Sequence, residues 1–419
     1  MTAATVEDLL GEIAAIGRDP GTGGYRRFAF TRQDAALAEW FAAACTGRGL
    51  DLVTDRCGNQ WAWWGDPDTG FLDRSGFLDH RGEVGGGGVV IGSHLDSVPD
   101  GGAYDGPLGV VSALLAVDRL RSDGYAPGRP LGIVRFVDEE GARFGLACSG
   151  SRLLTGRADP EHVLGLSDAA GTTYAEAMRS AGFDPARAGR DDEALRRVGA
   201  FVELHVEQGR ALATPEIDAP VGVATMIRPH GRWRFSLAGR ADHAGTTRLA
   251  DRLDPMLELA RLVLAARSEA ERAGALATVG KVEVLPNAVN AVPSSVTAWL
   301  DARADDASAV QAVLEGLAAA GFTPERESWT PATAMDAALS DAVAAAVAGV
   351  TGSAPRLATG AGHDAGVLAE AGIPTAMLFV RNPTGISHAP DEHAPPEDCE
   401  LGVAALAATV RALCSRSAR

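Results

Sequence analysis

Histidine and carboxylate side chains follow four short apolar runs of this 419-residue chain, each close to the point where the run ends. The runs are 88–91, 133–137, 201–204 and 375–380, and the side chains are His94, Asp105, Glu139, Glu140, His205 and His388. Short apolar runs rich in β-branched residues are typical of buried parallel strands. In open α/β sheets, ligands bind beyond the carboxyl ends of such strands. The sequence therefore predicts that these side chains meet at one edge of a sheet.

Imidazole and carboxylate groups together suit a divalent cation such as zinc, manganese or nickel. Taken singly, each of these residues has an ordinary explanation as a core histidine, a surface histidine or a solvated carboxylate. Four strands that end in the same way favour a metal-centred site over four coincidences.

Eight motifs extend this pattern through nearly the whole chain. They are SHLDSVP (93–99), YDG (104–106), DEEGARFG (138–145), ELHVEQG (203–209), ADHAGTT (241–247), PNAVN (286–290), GHDA (362–365) and GISH (385–388). In these motifs the chain resembles the binuclear-metal amidohydrolases of the M20 metallopeptidase clan. The branch it resembles holds N-carbamoyl-L-amino-acid hydrolases, β-ureidopropionases and allantoate amidohydrolases.

The resemblance implies two divalent metal ions per subunit, which would be zinc, manganese, nickel or cobalt. Asp105 would bridge the ions, His94 and His205 would complete one site, and Glu140 and His388 the other. Glu139 would be the general acid/base. Two cations about 3.5–4 Å apart lower the pKa of water and polarise a carbonyl, and an amide or ureide needs both effects.

Further residues have roles that the motifs imply. Asp96, two residues after His94 on the same strand face, is interpreted as the group that orients its ring. Asp364 is interpreted as a second orienting carboxylate. By resemblance, His243 stabilises the oxyanion in the neighbouring subunit, and the substrate contacts are Gln208, His230, Asn290, Arg303, Gly362 and His363. Without the resemblance, His243 reads equally well as a hydrogen-bonded loop residue and Arg303 as half of a surface ion pair.

His205 separates two activities within the clan. The peptidases of this clan place an acidic ligand at the corresponding position, whereas the ureido-hydrolysing branch places histidine. We therefore expect hydrolysis of a linear amide or ureido C–N bond in a small ureido carboxylic acid, allantoate or an N-carbamoyl-L-amino acid, with release of ammonia and CO2. The alternatives are a metallo-exopeptidase of dipeptidase or aminoacylase type and a binding module that has lost catalysis.

The order of strand and helix patterns predicts two domains, which is also what the length favours. An α/β catalytic domain of zinc-exopeptidase type, with a mixed, mostly parallel sheet and flanking helices, is expected at 1–214 and 330–419. Residues 215–329 are expected to form an inserted α+β ferredoxin-like domain with strands at 221–227, 233–237, 278–284 and 296–300. In the family this insertion forms the dimer contact, so a homodimer is expected.

Composition limits which binding partners and which cellular compartment are expected. A formal charge of −17 argues against nucleic acid or an anionic membrane surface as a partner. The chain has no apolar stretch near the ~20 residues that a bilayer span needs. The N-terminal residues lack the features of a secretory signal, and five cysteines without paired spacing indicate a reducing compartment. We expect a cytoplasmic enzyme with a small-molecule substrate.

Overall fold

The computed structural model describes residues 4–68 and 87–415. The chain divides into two compact units. The first comprises the described parts of Met1–Thr225, Ala334–Leu357 and Gly362–Arg419, and the second comprises Met226–Thr333 with Ala358–Ala361.

The described residues contain fifteen strands, numbered in chain order. They are β1 (Asp51–Thr54), β2 (Gln60–Trp64), β3 (Gly88–His94), β4 (Leu131–Phe136), β5 (Val198–Val206), β6 (Val221–Ile227), β7 (His230–Ala238), β8 (Asp242–His243), β9 (Leu276–Leu285), β10 (Ala291–Val292), β11 (Ser295–Arg303), β12 (Glu325–Thr330), β13 (Thr333–Ala334), β14 (Arg356–Thr359) and β15 (Thr375–Val380).

Twelve α-helices accompany them in the same described ranges. They are α1 (Val6–Ile13), α2 (Arg32–Gly47), α3 (Pro107–Ser122), α4 (Ser149–Thr155), α5 (Pro160–Gly165), α6 (Tyr174–Ser180), α7 (Asp192–Arg196), α8 (Pro255–Ala273), α9 (Ala307–Ala319), α10 (Ala337–Thr351), α11 (Asp364–Glu370) and α12 (Pro396–Cys414).

A nine-stranded mixed sheet forms the centre of the first unit. Its strand order is β1-β2-β4-β3-β5-β15-β6-β13, and β14 pairs with β6. The four central strands β4, β3, β5 and β15 are parallel to their neighbours within this group. All four are buried along their whole length, because helices cover the sheet, and this explains their mainly apolar sequences. The predicted α/β class and mostly parallel sheet are confirmed.

Helix α3 begins two residues after Asp105 and packs on β3 and β5. Twelve of its sixteen residues are buried, so it is apolar on nearly every side, as expected of a helix in a core. The same apolar cluster includes residues of α10 and α12. The loop that carries Asp105 is therefore attached to one of the most deeply buried elements of the unit.

The second unit is an antiparallel four-stranded sheet with order β12-β7-β11-β9. Helices α8 and α9 pack against it around a core that includes Trp233, Phe235 and Leu300. The chain order β7-α8-β9-β11-α9-β12 is that of a ferredoxin-like fold, as predicted.

One strand was assigned to the wrong sheet. The run 221–227 was expected in the small domain, but β6 pairs antiparallel with β15 in the large sheet. The fourth strand of the small sheet is β12, where the sequence predicted no strand. The boundaries between the two units therefore lie at Thr225/Met226 and Thr333/Ala334, later in the chain than the expected boundaries at 214/215 and 329/330.

Candidate active site

Asp105 is the residue on which the predicted metal ligands converge. Its Oδ1 lies 3.6 Å from His94 Nε2 and 3.2 Å from His205 Nε2, and its Oδ2 lies 3.5 Å from His388 Nε2. His388 Nε2 is also 3.6 Å from Glu140 Oε2. The ligand atoms of His94, Asp105 and His205 lie within 4.8 Å of one another, as do those of Asp105, Glu140 and His388. The structure thus brings all five residues together in two groups that share Asp105.

The parallel sheet explains this convergence. His94 is the last residue of β3, and His205 is the penultimate residue of the neighbouring strand β5. Glu140 lies in the turn after β4, the neighbour of β3 on its other side. His388 comes from the loop after β15 and has a left-handed backbone with φ +56°. All four segments therefore reach the same carboxyl edge of the sheet.

Both buried imidazoles are aimed at Asp105 by backbone carbonyl groups. His94 Nδ1 lies 3.1 Å from the carbonyl oxygen of Asp96, and His205 Nδ1 lies 2.9 Å from that of Val206. A carbonyl oxygen can only accept, so Nδ1 of each ring carries a proton and Nε2 faces Asp105. Both Nε2 atoms are buried and have no hydrogen-bond partner. Histidines that ligate metals are held in this way, so the residues present fit a divalent cation.

The charges around Asp105 also fit a divalent cation. Burial raises the pKa of Glu140 to about 8, with the Asp105 charge adding to it, and burial raises the pKa of Glu139 well above its usual range. For His94, burial would lower the pKa, but Glu139, Asp105 and Asp96 outweigh it and raise the pKa. Crowded carboxylates that lift each other's pKa favour positive charge in their midst. A divalent cation supplies that charge without a proton.

The Asp96 carboxylate binds the backbone amides of Glu139 and Glu140. Its two carboxylate oxygens accept the amide N–H of Glu139 at 3.2 Å and that of Glu140 at 3.0 Å. The same carboxylate lies 3.5 Å from His94 Nδ1, whereas the Asp96 carbonyl oxygen lies 3.1 Å from that nitrogen. Asp96 therefore contacts His94 mainly through its main chain and positions the two glutamates with its side chain.

Glu139 faces the first ligand group. Its Oε2 lies 3.7 Å from His94 Nε2, and the Cys148 thiol donates to its Oε1 at 3.7 Å. Glu140 points away toward Val98, whose amide donates to Glu140 Oε1 at 3.3 Å, and toward His388. The two adjacent glutamates thus face different ligand groups, Glu139 toward His94 and Glu140 toward His388.

Three further predicted residues lie in this unit. Gln208 donates from Nε2 to Asp105 Oδ2 at 2.9 Å. His363 is buried against His205, with ring centroids 4.6 Å apart, and neither of its ring nitrogens has a hydrogen-bond partner. Gly362 precedes it, just ahead of α11. Burial lowers the pKa of His363 well below its usual range, so the ring is neutral.

Sequence reasoning missed Glu203 as part of this network. Its carboxylate accepts the Ser93 hydroxyl at 2.6 Å and the Ala365 amide at 3.2 Å. It also groups with His205 and His363 as a set of potential ligand atoms. Glu203 precedes His205 by two residues on β5, so the period of a strand places both on one face, a signal that was available.

The remaining predicted substrate residues lie in the second unit and form two pairs. His230 begins β7 and is the cross-strand neighbour of Arg303 at the end of β11. Arg303 donates from Nε and Nη2 to the Asp301 carboxylate, at 2.6 and 3.0 Å, and from Nη1 to the Gly360 carbonyl. The guanidinium is therefore held side-on by a residue of its own strand.

The second pair is His243 and Asn290. Strands β8 and β10 pair antiparallel with His243 opposite Ala291, and the Ala244 amide donates to the Asn290 carbonyl at 2.9 Å. His243 is exposed, and its Nδ1 accepts the Gly245 amide at 3.0 Å.

Comparison with known proteins gives a consistent assignment. The family model described as peptidase family M20/M25/M40 matches residues 90–412. An N-carbamoyl-L-amino acid amidohydrolase of Geobacillus stearothermophilus is 35% identical over 410 residues, 95% of each chain. An allantoate amidohydrolase of Escherichia coli (strain K12) is 31% identical over 423 residues, 96% of each chain. The crystal structure of an amidase of the hydantoinase/carbamoylase family from Burkholderia vietnamiensis superposes with a TM-score of 0.81 at 30% identity, covering 98% of this chain and 97% of that one.

No helix within residues 4–68 and 87–415 combines the length and the hydropathy that a bilayer span requires.

Proposed function

Because the chain belongs to peptidase family M20/M25/M40, as its motifs predicted, we propose that it hydrolyses a linear ureido C–N bond in a small ureido carboxylic acid. Its substrate would be allantoate or an N-carbamoyl-L-amino acid, the compounds named in relatives that match over 95% or more of both chains. Ammonia and CO2 would be released. The observation that carries this proposal is the convergence of two histidine–carboxylate groups on Asp105.

Two divalent cations would occupy these groups. His94, Asp105 and His205 would hold one, and Asp105, Glu140 and His388 the other. When bound, such ions lower the pKa of water and polarise the carbonyl group. The donor set of nitrogen and oxygen atoms suits zinc, manganese, nickel or cobalt.

Glu139 would carry the proton. It would accept a proton from the attacking water and return it to the leaving nitrogen, which is the division of labour that general acid–base catalysis requires. Burial holds its pKa high, and cations in the adjacent groups would lower it again by stabilising the carboxylate. Asp96 keeps Glu139 in place through the amide hydrogen bond.

Two sets of residues would contact the substrate. Arg303 and Asn290 would bind its carboxylate, for which a guanidinium offers a bidentate fork. Gln208, Gly362 and His363, beside the metal groups, would contact the ureido end, and His230 would lie next to Arg303. Asp301 and the Gly360 carbonyl already take three of the five guanidinium N–H groups, so the remaining N–H groups of Nη1 and Nη2 would bind the substrate carboxylate.

A homodimer through the second unit completes the proposal. Strand β9 is an edge of its sheet, and exposed apolar side chains lie on it and on α8, among them Leu264 at 71% and Leu276 at 63%. Edges and apolar patches of this kind mark association surfaces. His243 would then stabilise the oxyanion in the neighbouring subunit. Light scattering should give a dimer for the wild type and a monomer for L264D. The control is I217D, a substitution of an exposed apolar residue of the first unit, and this variant should stay dimeric.

The five cysteines are all free and buried, which supports the cytoplasm as the compartment.

The test is ammonia release from allantoate and from N-carbamoyl-L-alanine, with a dipeptide panel alongside, after reconstitution with manganese or zinc. We expect turnover of at least one ureido acid and none of the dipeptides. H205A should abolish it, whereas H162A, an exposed histidine outside the site, should not. Dipeptide hydrolysis without ureido-acid hydrolysis would establish the exopeptidase alternative instead.

A further inference from the structure

Glu392 is a buried carboxylate that none of the assignments above uses. It lies four residues after His388, in the loop between β15 and α12, and is 4% exposed. Its Oε1 accepts the amide N–H of Tyr104 at 3.0 Å and that of Asp105 at 2.8 Å. One carboxylate oxygen thus fixes the backbone of the residue on which both ligand groups converge.

This contact joins two loops that are far apart in sequence. The Asp105 loop precedes α3, and the Glu392 loop carries His388. The fit is close, because a Cβ atom at Gly102 would lie 2.5 Å from Glu392 atoms. A side chain at position 102 would therefore push Glu392 away from the two amides.

His388 needs such support more than the other two histidine ligands do. His94 and His205 end or nearly end buried strands, whereas the His388 side chain is 49% exposed on a loop. Asn382 shapes the start of this loop by accepting the amides of Thr384 and Gly385 and donating to the Ile386 carbonyl. Asn382 makes all of these contacts within its own loop. The loop reaches Asp105 through Ser387, whose hydroxyl donates to the Asp105 carboxylate at 3.4 Å, and through Glu392, which accepts the Asp105 backbone amide at 2.8 Å. Of these two hydrogen bonds, the shorter one, from Glu392, holds the main chain.

We infer that Glu392 is a positioning residue that ties the His388 loop to the Asp105 backbone and thereby sets the spacing of the second ligand group. This inference rests on the proposed metal centre. Replacing a residue that orients a metal ligand through a hydrogen bond lowers metal affinity about 10- to 100-fold. Loss of the Glu392 acceptor should therefore weaken metal binding by that factor.

The test is a titration of the metal-free protein with Co²⁺, monitored by calorimetry and by the visible absorption of the bound ion. E392A should bind Co²⁺ about 10- to 100-fold more weakly than the wild type, because two buried amides lose their acceptor. E392Q keeps an acceptor oxygen and should bind within a few-fold of the wild type. E392D keeps the charge but draws the oxygen back by one methylene, and it should resemble E392A.

Asp191 provides a matched control for a purely structural loss. It is a buried carboxylate of the same unit whose Oδ1 also accepts two backbone amides, those of Glu193 and Ala194. D191A should lower the unfolding temperature as E392A does, while Co²⁺ affinity and the cobalt spectrum stay those of the wild type.

The outcomes separate the inference from the function it rests on. Weakened binding in E392A and E392D with near-normal binding in E392Q supports the positioning role. Wild-type affinity in E392A overturns it, and so does weak binding in E392Q with normal binding in E392D, which would assign the effect to charge. A wild-type protein that binds no Co²⁺ overturns the proposed metal centre as well.

Discussion

Gly106 offers a direct test of the metal-centre geometry, since it lies between Asp105 and the first turn of α3. Its φ is +83°, and a Cβ atom built there would lie 2.4 Å from His94 Cε1, 2.5 Å from Nδ1 and 2.6 Å from Nε2. Alanine at this position therefore meets the face of the imidazole ring. Ordinary contact begins at 3.4 Å, so the ring must move by about 1 Å.

The ring has little room to move, because His94 is fully buried and its Nδ1 is tied to the Asp96 carbonyl. Misplacement of a reacting group by about 1 Å costs on the order of 100-fold in rate. The left-handed backbone adds about 1–2 kcal/mol for a residue with a Cβ, and the forced contact adds about 1–3 kcal/mol. G106A should thus lose about 2–5 kcal/mol of unfolding free energy and at least about 100-fold in kcat/KM.

Gly124 supplies the control at the other end of the same helix. It also has a left-handed backbone, with φ +67°, but nothing lies within 4 Å of its Cβ position. G124A should lose only the backbone contribution of about 1–2 kcal/mol and keep both metal binding and turnover. Denaturant unfolding, elemental analysis of bound metal and kinetics on a ureido acid measure the three quantities. A G106A protein with wild-type metal content and wild-type kcat/KM would refute the placement of the His94 ring against Gly106.

Four other predictions test separate parts of the site. Glu139→Gln should retain the metal content but lose about 10²- to 10⁴-fold in kcat, because the proton carrier is gone; retained turnover would remove Glu139 from that role. Chelation should abolish activity and added Mn²⁺ or Zn²⁺ should restore it, and in a timed chelation followed by elemental analysis the ion at the half-exposed His388 should leave before the ion held by the buried histidines. Arg303→Lys should raise KM for carboxylate substrates about 10- to 100-fold with kcat nearly unchanged, because a bidentate contact becomes a single one; an equal fall in kcat would place Arg303 at the reacting group instead. A mixture of inactive H243A and H205A proteins should regain partial activity if His243 acts across the dimer, and an inactive mixture would argue against that role.

Sequence patterns predicted the central strands well because those strands are buried on both faces. Strands β3, β4, β5 and β15 each contain a short, mainly apolar run, and each occurs in the structure. The apolar run of β6 was recognised as a strand too, but its partner is β15, more than a hundred residues away, and no local pattern reports such a pairing. Strand β12 escaped prediction for the opposite reason. Its sequence ERESWT lies at an exposed edge, where polar residues are tolerated and the apolar signal disappears.

The same distinction explains which parts of the candidate site were predictable. The residues His94, Glu140 and His205 lie at or just beyond strand ends, so covalent spacing along the chain determines where they emerge. Glu392 and Asp105 are 287 residues apart, and their contact runs through a backbone amide, which every residue except proline presents. A glutamate that binds such an amide leaves no pattern that distinguishes it from a solvated one. The groups that hold the ligands in place therefore have to be found from the folded structure, and for that reason Glu392 is a stronger test of the geometry than another substitution among the ligands.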